Sequence, residues 1–132
     1  MFDKMPDLIS YIKRGDFKAV KSLIESGSNP EVTIPETGHT ALQVAFMYDH
    51  MDIAEYLLGK GANINAVDRL GSTVLILAAM EGNTNAVKFF LEHGADPTIK
   101  NIKGWDAMQY AKSGGFEDIV ELLNDKQKQS SS

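Results

Sequence analysis

Cysteine is absent from the 132-residue chain. Disulfides, thiolate chemistry and cysteine-based zinc sites are thereby excluded. No apolar run approaches the roughly 20 residues that would span a bilayer. The opening MFDKMPDLIS carries an acid at Asp3 and no long apolar segment, so it does not read as a secretory signal. These features predict a cytoplasmic protein without membrane association. Histidine is scarce: His39, His50 and His93 fall in different parts of the pattern described below, and none shares a helix face with a carboxylate pair. That argues against metal binding and proton transfer. Asp52 and Glu55 are neighbours on one expected helix, but no second group completes an acid–base site. Glycines come singly at turns, not as a phosphate-cradling loop. The net charge is −5 and the Lys and Arg residues are scattered, so nucleic acid is not an expected partner. Neither a cofactor nor a catalytic residue is expected.

What the chain does have is a rhythm. Gly38, Gly71 and Gly104 recur at intervals of 33 residues, and Gly61 and Gly94 keep the same interval, with Gly27 one residue further back. Leu42, Leu75 and Met108 hold this spacing, as do Ala45, Ala78 and Ala111. Self-similarity at such a period is the signature of stacked repeats.

The clearest copy is GSTVLILAAMEGNTNAVKFFLEHGAD, from Gly71 to Asp96. Thr73 is suited to cap a first helix, because its hydroxyl accepts from a free N–H of the opening turn. Leu75, Leu77, Ala78 and Ala79 supply the packing surface of that helix. Gly82-Asn83 interrupts it. Val87, Phe90 and Leu91 then mark the apolar side of a second helix. Gly94 stands where the chain leaves that helix with positive φ. Earlier in the chain, Leu8, Tyr11 and Ile12, then Phe17, Val20, Leu23 and Ile24, make a first helix pair between Met5 and Gly27. Thr40 and Gln43 form a capping box for a second pair that ends near Gly61; Asp106 and Gln109 form another for the last. Phe116, Ile119, Val120 and Leu123 make the final stripe. The polar DKQKQSSS from Asp125 lacks apolar residues and predicts a disordered tail over 125–132. Pro30 and Pro35 make Ser28 to His39 the least regular link, expected as an extended loop or hairpin with a small insertion.

Gly38-His39-Thr40-Ala41-Leu42, Gly71-Ser72-Thr73-Val74-Leu75 and Gly104-Trp105-Asp106-Ala107-Met108 resemble the ankyrin-repeat opening, usually Gly-x-Thr-Pro-Leu-His. Gly61-Ala62-Asn63 and Gly94-Ala95-Asp96 resemble its close. The usual proline is here Ala41, Val74 or Ala107, and the usual histidine is Gln43, Ile76 or Gln109. Capping boxes stand in at Thr40 and Asp106; Ile76 offers no equivalent. The tetratricopeptide, a rival of similar length, lacks the glycine-bounded extended link. The resemblance implies an all-α, ankyrin-type solenoid of about four helix-turn-helix repeats with hairpin-like links. The expected layout is a single domain over 1–124, with repeats at about 5–34, 35–67, 68–100 and 101–124, the outer two acting as caps.

The resemblance further implies a non-enzymatic module, monomeric by itself, that binds a protein through its hairpin tips and the exposed side of each first helix. The matching tip positions are Thr37 and His39; Arg69, Leu70 and Ser72; and Ile102, Lys103 and Trp105. The matching helix positions are Lys13 and Arg14, Met47 and Tyr48, Met80 and Glu81, and Ser113. Leu70, Trp105, Met47, Met80 and Tyr48 stand where a mere scaffold would carry polar residues, and apolar surface marks interaction sites. Against this, Met47 and Met80 are also suited to fill gaps between repeats, and Trp105 to cover the last one. A more specialised alternative is a small inhibitor or antidote that blocks one enzyme or toxin.

Overall fold

Helix starts are set by side-chain caps. Asp7, Asp16, Thr40, Thr73, Asn83 and Asp106 each accept a hydrogen bond from a backbone N–H three residues on. In the computed structural model, which describes residues 7–131 and side chains through Lys128, these caps open helices of seven to nine residues. Residues 1–6, including the expected start at Met5 and the first part of the opening segment read as no signal, lie outside the described residues. The helices are α1 (Leu8–Arg14), α2 (Phe17–Glu25), α3 (Ala41–Met47), α4 (Met51–Gly59), α5 (Val74–Glu81), α6 (Thr84–Glu92), α7 (Ala107–Gly114) and α8 (Glu117–Ser131). No strand is present among the described residues; Thr33 and Thr40 form an isolated antiparallel bridge.

Both expected capping boxes form. Gln43 N–H donates to the Thr40 hydroxyl at 3.0 Å, and the Gln43 side chain accepts from Thr40 N–H at 3.0 Å. Asp106 and Gln109 exchange the same pair of bonds at 3.0 and 2.8 Å. At the equivalent place in α5, Thr73 caps Ile76 N–H at 3.1 Å, and Ile76 is itself buried in the core.

The described chain divides after Asn63 into two compact units. The division falls in the link between the second and third repeats, so each unit holds two complete helix pairs. In the first unit, α1 packs on α3 and α2 on α4, while each pair closes on itself. In the second, α5 packs on α7 and α6 on α8 in the same way. Within each unit, first helices thus form one layer and second helices the other. The 33-residue spacing fills equivalent places with equivalent side chains: Ala45, Ala78 and Ala111 are fully buried, and so are Leu57, Phe90 and Leu123. The small alanines let first helices approach closely, and the large side chains fill the space between layers.

Side-chain bonds also tie successive links. Glu31 Oε2 accepts from Asn63 N–H at 2.9 Å in the first unit, and Asn65 Oδ1 accepts from Asp96 N–H at 2.8 Å in the second. Asp96 in turn accepts from the Thr98 hydroxyl at 2.7 Å and the Thr98 N–H at 2.9 Å. These bonds, the hydroxyl's first, hold its carboxyl below the usual carboxylate range.

The last helix departs from expectation. α8 continues through Asp125 to Ser131, where the polarity of the segment predicts disorder. Two physical terms favour helix here. Lys and Gln are good helix formers. In addition, Glu117 and Asp118 lie in the first turn and Lys128 in the last, the arrangement that suits the helix dipole. Asp125 and Lys126 also flank Lys88 and Glu92 of α6 along a shared groove, so the first turn of the tail has a neighbour.

Gly94 leaves α6 with φ +91°, and nothing lies within 4 Å of where a Cβ would sit. Gly94→Ala is therefore expected to cost about 1 kcal/mol from backbone conformation alone. Urea unfolding with an unchanged m-value checks it. The turn between the two helices of each pair shows the reverse case. Gly15, Gly82 and Gly115 occupy the left-handed region there, and in the second repeat the place is taken by Asp49 with φ +63°. Asp49→Gly is expected to stabilise the chain by about 0.5–1 kcal/mol. The midpoint of urea unfolding should rise accordingly.

Candidate partner-binding surface

The tips of the extended links are built by short side chains that turn back on their own backbone. Asp68 Oδ1 accepts from the N–H groups of Leu70 and Ser72, both at 3.0 Å. Asn101, the next copy of that position, accepts from Lys103 N–H at 2.9 Å and Trp105 N–H at 3.1 Å. Main-chain bonds from Asp68 N–H to Ser72 and from Asn101 N–H to Trp105, at 3.1 and 2.9 Å, close the two turns. In the second repeat the register is occupied by Pro35, which carries no such acceptor. There the Thr37 hydroxyl accepts from His39 N–H at 3.1 Å, and Ile34 and His39 pair through a 2.9 Å main-chain bond. The irregular link is thus a hairpin, one of the two forms expected from its sequence.

In the first unit, Lys13 and Arg14 lie exposed in the last turn of α1, where positive charge suits the helix dipole. Arg14 stacks on Tyr11 at 5.3 Å, and the Lys13 ammonium stands 5.8 Å from the centre of the Tyr48 ring. Met47 and Tyr48, at the end of α3, are exposed. Lys13 and Tyr48 are therefore brought together. Thr37 is exposed on its hairpin and His39 is half-buried.

In the second unit, Arg69 and Leu70 stand exposed on one tip and Ile102 and Lys103 on the next. The tips are joined: Ile102 N–H donates to the Leu70 carbonyl at 2.9 Å. Met80 and Glu81 are exposed at the end of α5, and Ser113 is exposed near the end of α7. Two tip residues sit differently from their expected exposure. Ser72 is buried, because its N–H and carbonyl close the Asp68 turn. Trp105 is half-buried, with its ring 4.8 Å from that of Tyr110. Tyr110 is itself held by a 2.8 Å bond from the Asn101 amide.

Sequence reasoning passed over three contributors. Asp68 and Asn101 organise the tips, and their 33-residue separation was the available signal. Val67, beside Asp68, is a further exposed apolar side chain. The charge of the candidate set is opposite in sign to that of the chain: it holds the cations Lys13, Arg14, Arg69 and Lys103 and one acid, Glu81, in a protein of net charge −5. Among the described residues, no group of three or more His, Asp or Glu side chains is placed to hold a metal ion, and no helix is long and apolar enough to cross a membrane.

Helix pairs that turn through left-handed residues, and tips that are joined within the second unit, define a tandem helical-repeat protein. The family model described as "Ankyrin repeats (3 copies)" matches residues 8–101 and 64–131, and the chain belongs to the ankyrin-repeat family. It is 31% identical over 123 residues to "Ankyrin repeat and SAM domain-containing protein 6" of Rattus norvegicus, a match covering 92% of this chain and 13% of that protein. It is 31% identical over 119 residues to a "Putative ankyrin repeat protein" of Rickettsia felis, covering 89% of this chain and 39% of the relative. A third similar protein is "Glycerophosphocholine phosphodiesterase GDE1" of Candida albicans, 32% identical over 120 residues, of which the chain spans 10%. The chain therefore spans well under half the length of these relatives. Ankyrin repeats are generally non-enzymatic modules for protein–protein interaction.

Proposed function

We propose that this chain is a non-enzymatic module that binds a protein partner through its hairpin tips and the exposed ends of its first helices. The observation that carries the reading is the exposure of Met47, Tyr48, Leu70, Met80 and Ile102. Each lies at a tip or in the last turn of a first helix, or directly after it. Large apolar side chains held in water on ordered backbone are the usual content of a binding surface. Tyr48, with Lys13 beside it, offers an amphipathic anchor on the first unit. Leu70 and Ile102 offer aliphatic anchors on the second.

The test is the triple substitution Tyr48→Ala, Leu70→Ala and Ile102→Ala. All three side chains are exposed, so the circular dichroism spectrum and melting temperature should be retained. Capture of partners from the native cell should fall by roughly tenfold or more, as expected when anchors of at least about 1.4 kcal/mol are lost. Undiminished capture by a folded triple variant contradicts the assignment.

A further inference from the structure

The second unit carries a ridge whose chemistry runs against that of the whole chain. Arg69-Leu70 and Ile102-Lys103 occupy consecutive tips, and each tip sets one cation beside one large apolar side chain. Leu70 and Ile102, 61% and 71% exposed, are the most exposed large apolar residues among those described. The Arg69 and Lys103 side chains are exposed and make no hydrogen bond or ion pair with another described residue. The backbone under them is fixed from three sides. Asp68 and Asn101 hold the turns, Ile102 N–H bonds the Leu70 carbonyl at 2.9 Å, and Gly71 lies so close to Asn101 and Ile102 that a Cβ would meet their backbone at 3.2 Å. A ligand would therefore meet preorganised groups and lose little to ordering them.

Resting on the protein-binding reading above, we propose that this ridge docks an acidic segment of a partner protein in which Asp or Glu side chains flank large apolar ones. Carboxylates complement Arg69, whose guanidinium can bind them bidentately, and Lys103. Apolar neighbours in the same segment cover Leu70 and Ile102 and remove them from water. The chain's overall negative charge does not oppose this at contact range, because exposed charges beyond about 8 Å are largely screened at physiological ionic strength. That same charge makes the ridge selective. A basic segment would be drawn to the acidic remainder of the surface and repelled here. A nucleic-acid backbone would find two cations but no use for the paired aliphatic side chains.

Selection of a displayed random peptide library on the full chain tests this, followed by anisotropy titration of the enriched peptides. The expected peptides carry Asp or Glu next to Leu, Ile or Phe. Their affinity should fall about tenfold or more on the double substitution Arg69→Glu and Lys103→Glu, and should weaken as ionic strength rises. Both side chains are exposed and unpaired, so the variant should fold, and circular dichroism confirms that it does. Enrichment of basic or neutral peptides, binding unchanged by the double substitution, or stronger binding of a single-stranded oligonucleotide than of any peptide overturns the inference. Peptides lost on Tyr48→Ala alone overturn it while leaving the protein-binding reading in place. Absence of any enriched peptide also ends the ridge assignment; the broader reading is decided separately by the triple alanine variant.

Discussion

Phe90→Ala should destabilise the chain by about 3–5 kcal/mol. Phe90 is fully buried in α6, on the same register as Leu57 and Leu123, and its ring meets Phe89 edge-on at 5.5 Å. Its carbonyl accepts from His93 N–H at 3.1 Å and Ala95 N–H at 3.0 Å, so the side chain and the helix exit share one anchor point. Removing the ring loses its transfer free energy and leaves a cavity between two layers that are already close-packed. Native domains are held by only about 5–15 kcal/mol in total. The loss is therefore a large fraction of the stability, and in a repeat protein it is passed to the neighbouring repeat. Urea unfolding followed by circular dichroism measures it. A loss under about 1.5 kcal/mol would mean that the register does not place Phe90 in the core.

Gly71→Ala should cost about 2–3 kcal/mol, distinctly more than Gly94→Ala. Both glycines have positive φ, at +76° and +91°, which carries a penalty of about 1–2 kcal/mol for a residue with a Cβ. They differ in surroundings. Nothing meets a Cβ at Gly94, whereas at Gly71 it would lie 3.2 Å from Asn101 Cα and from Ile102 N. Backbone cannot swing aside as a side-chain end can. The adjacent tip must shift, and the Ile102–Leu70 bond, contributing about 1 kcal/mol, is strained or lost. Parallel urea titrations of the two variants decide the matter. Equal losses would show that the stacking of the tips contributes nothing to stability.

The parts of the fold that were legible in the sequence are those fixed by local chemistry. Thr40, Thr73 and Asp106 announce helix starts because a hydroxyl or carboxylate can satisfy a free N–H wherever the chain is about to turn helical. Gly61 and Gly94 announce helix exits because few other residues take positive φ at low cost. Exposure was only partly legible. Leu70 and Ile102 stand out from their tips as the pattern implies, but Trp105 is half-buried because Tyr110, one helical turn into α7, offers it a ring. That contact depends on tertiary placement and not on the repeat. Ser72 is buried for a similar reason: its backbone closes a turn whose acceptor, Asp68, lies four residues earlier. Asp49 was hidden because the left-handed turn position is glycine in the other copies, and only the φ angle reveals that an acid fills it here. The helical course of α8 beyond Asp125 reflects helix propensity and contact with α6, which polarity alone does not express.

The most direct measurement is amide hydrogen exchange on the full chain, free and saturated with a partner captured from the native cell. Protection is predicted to rise at residues 47–49 at the end of α3 and at the tips 69–71 and 102–104, while the second helices α2, α4 and α6 exchange as before. Added protection confined to the second helices, or none at the tips, would contradict the account.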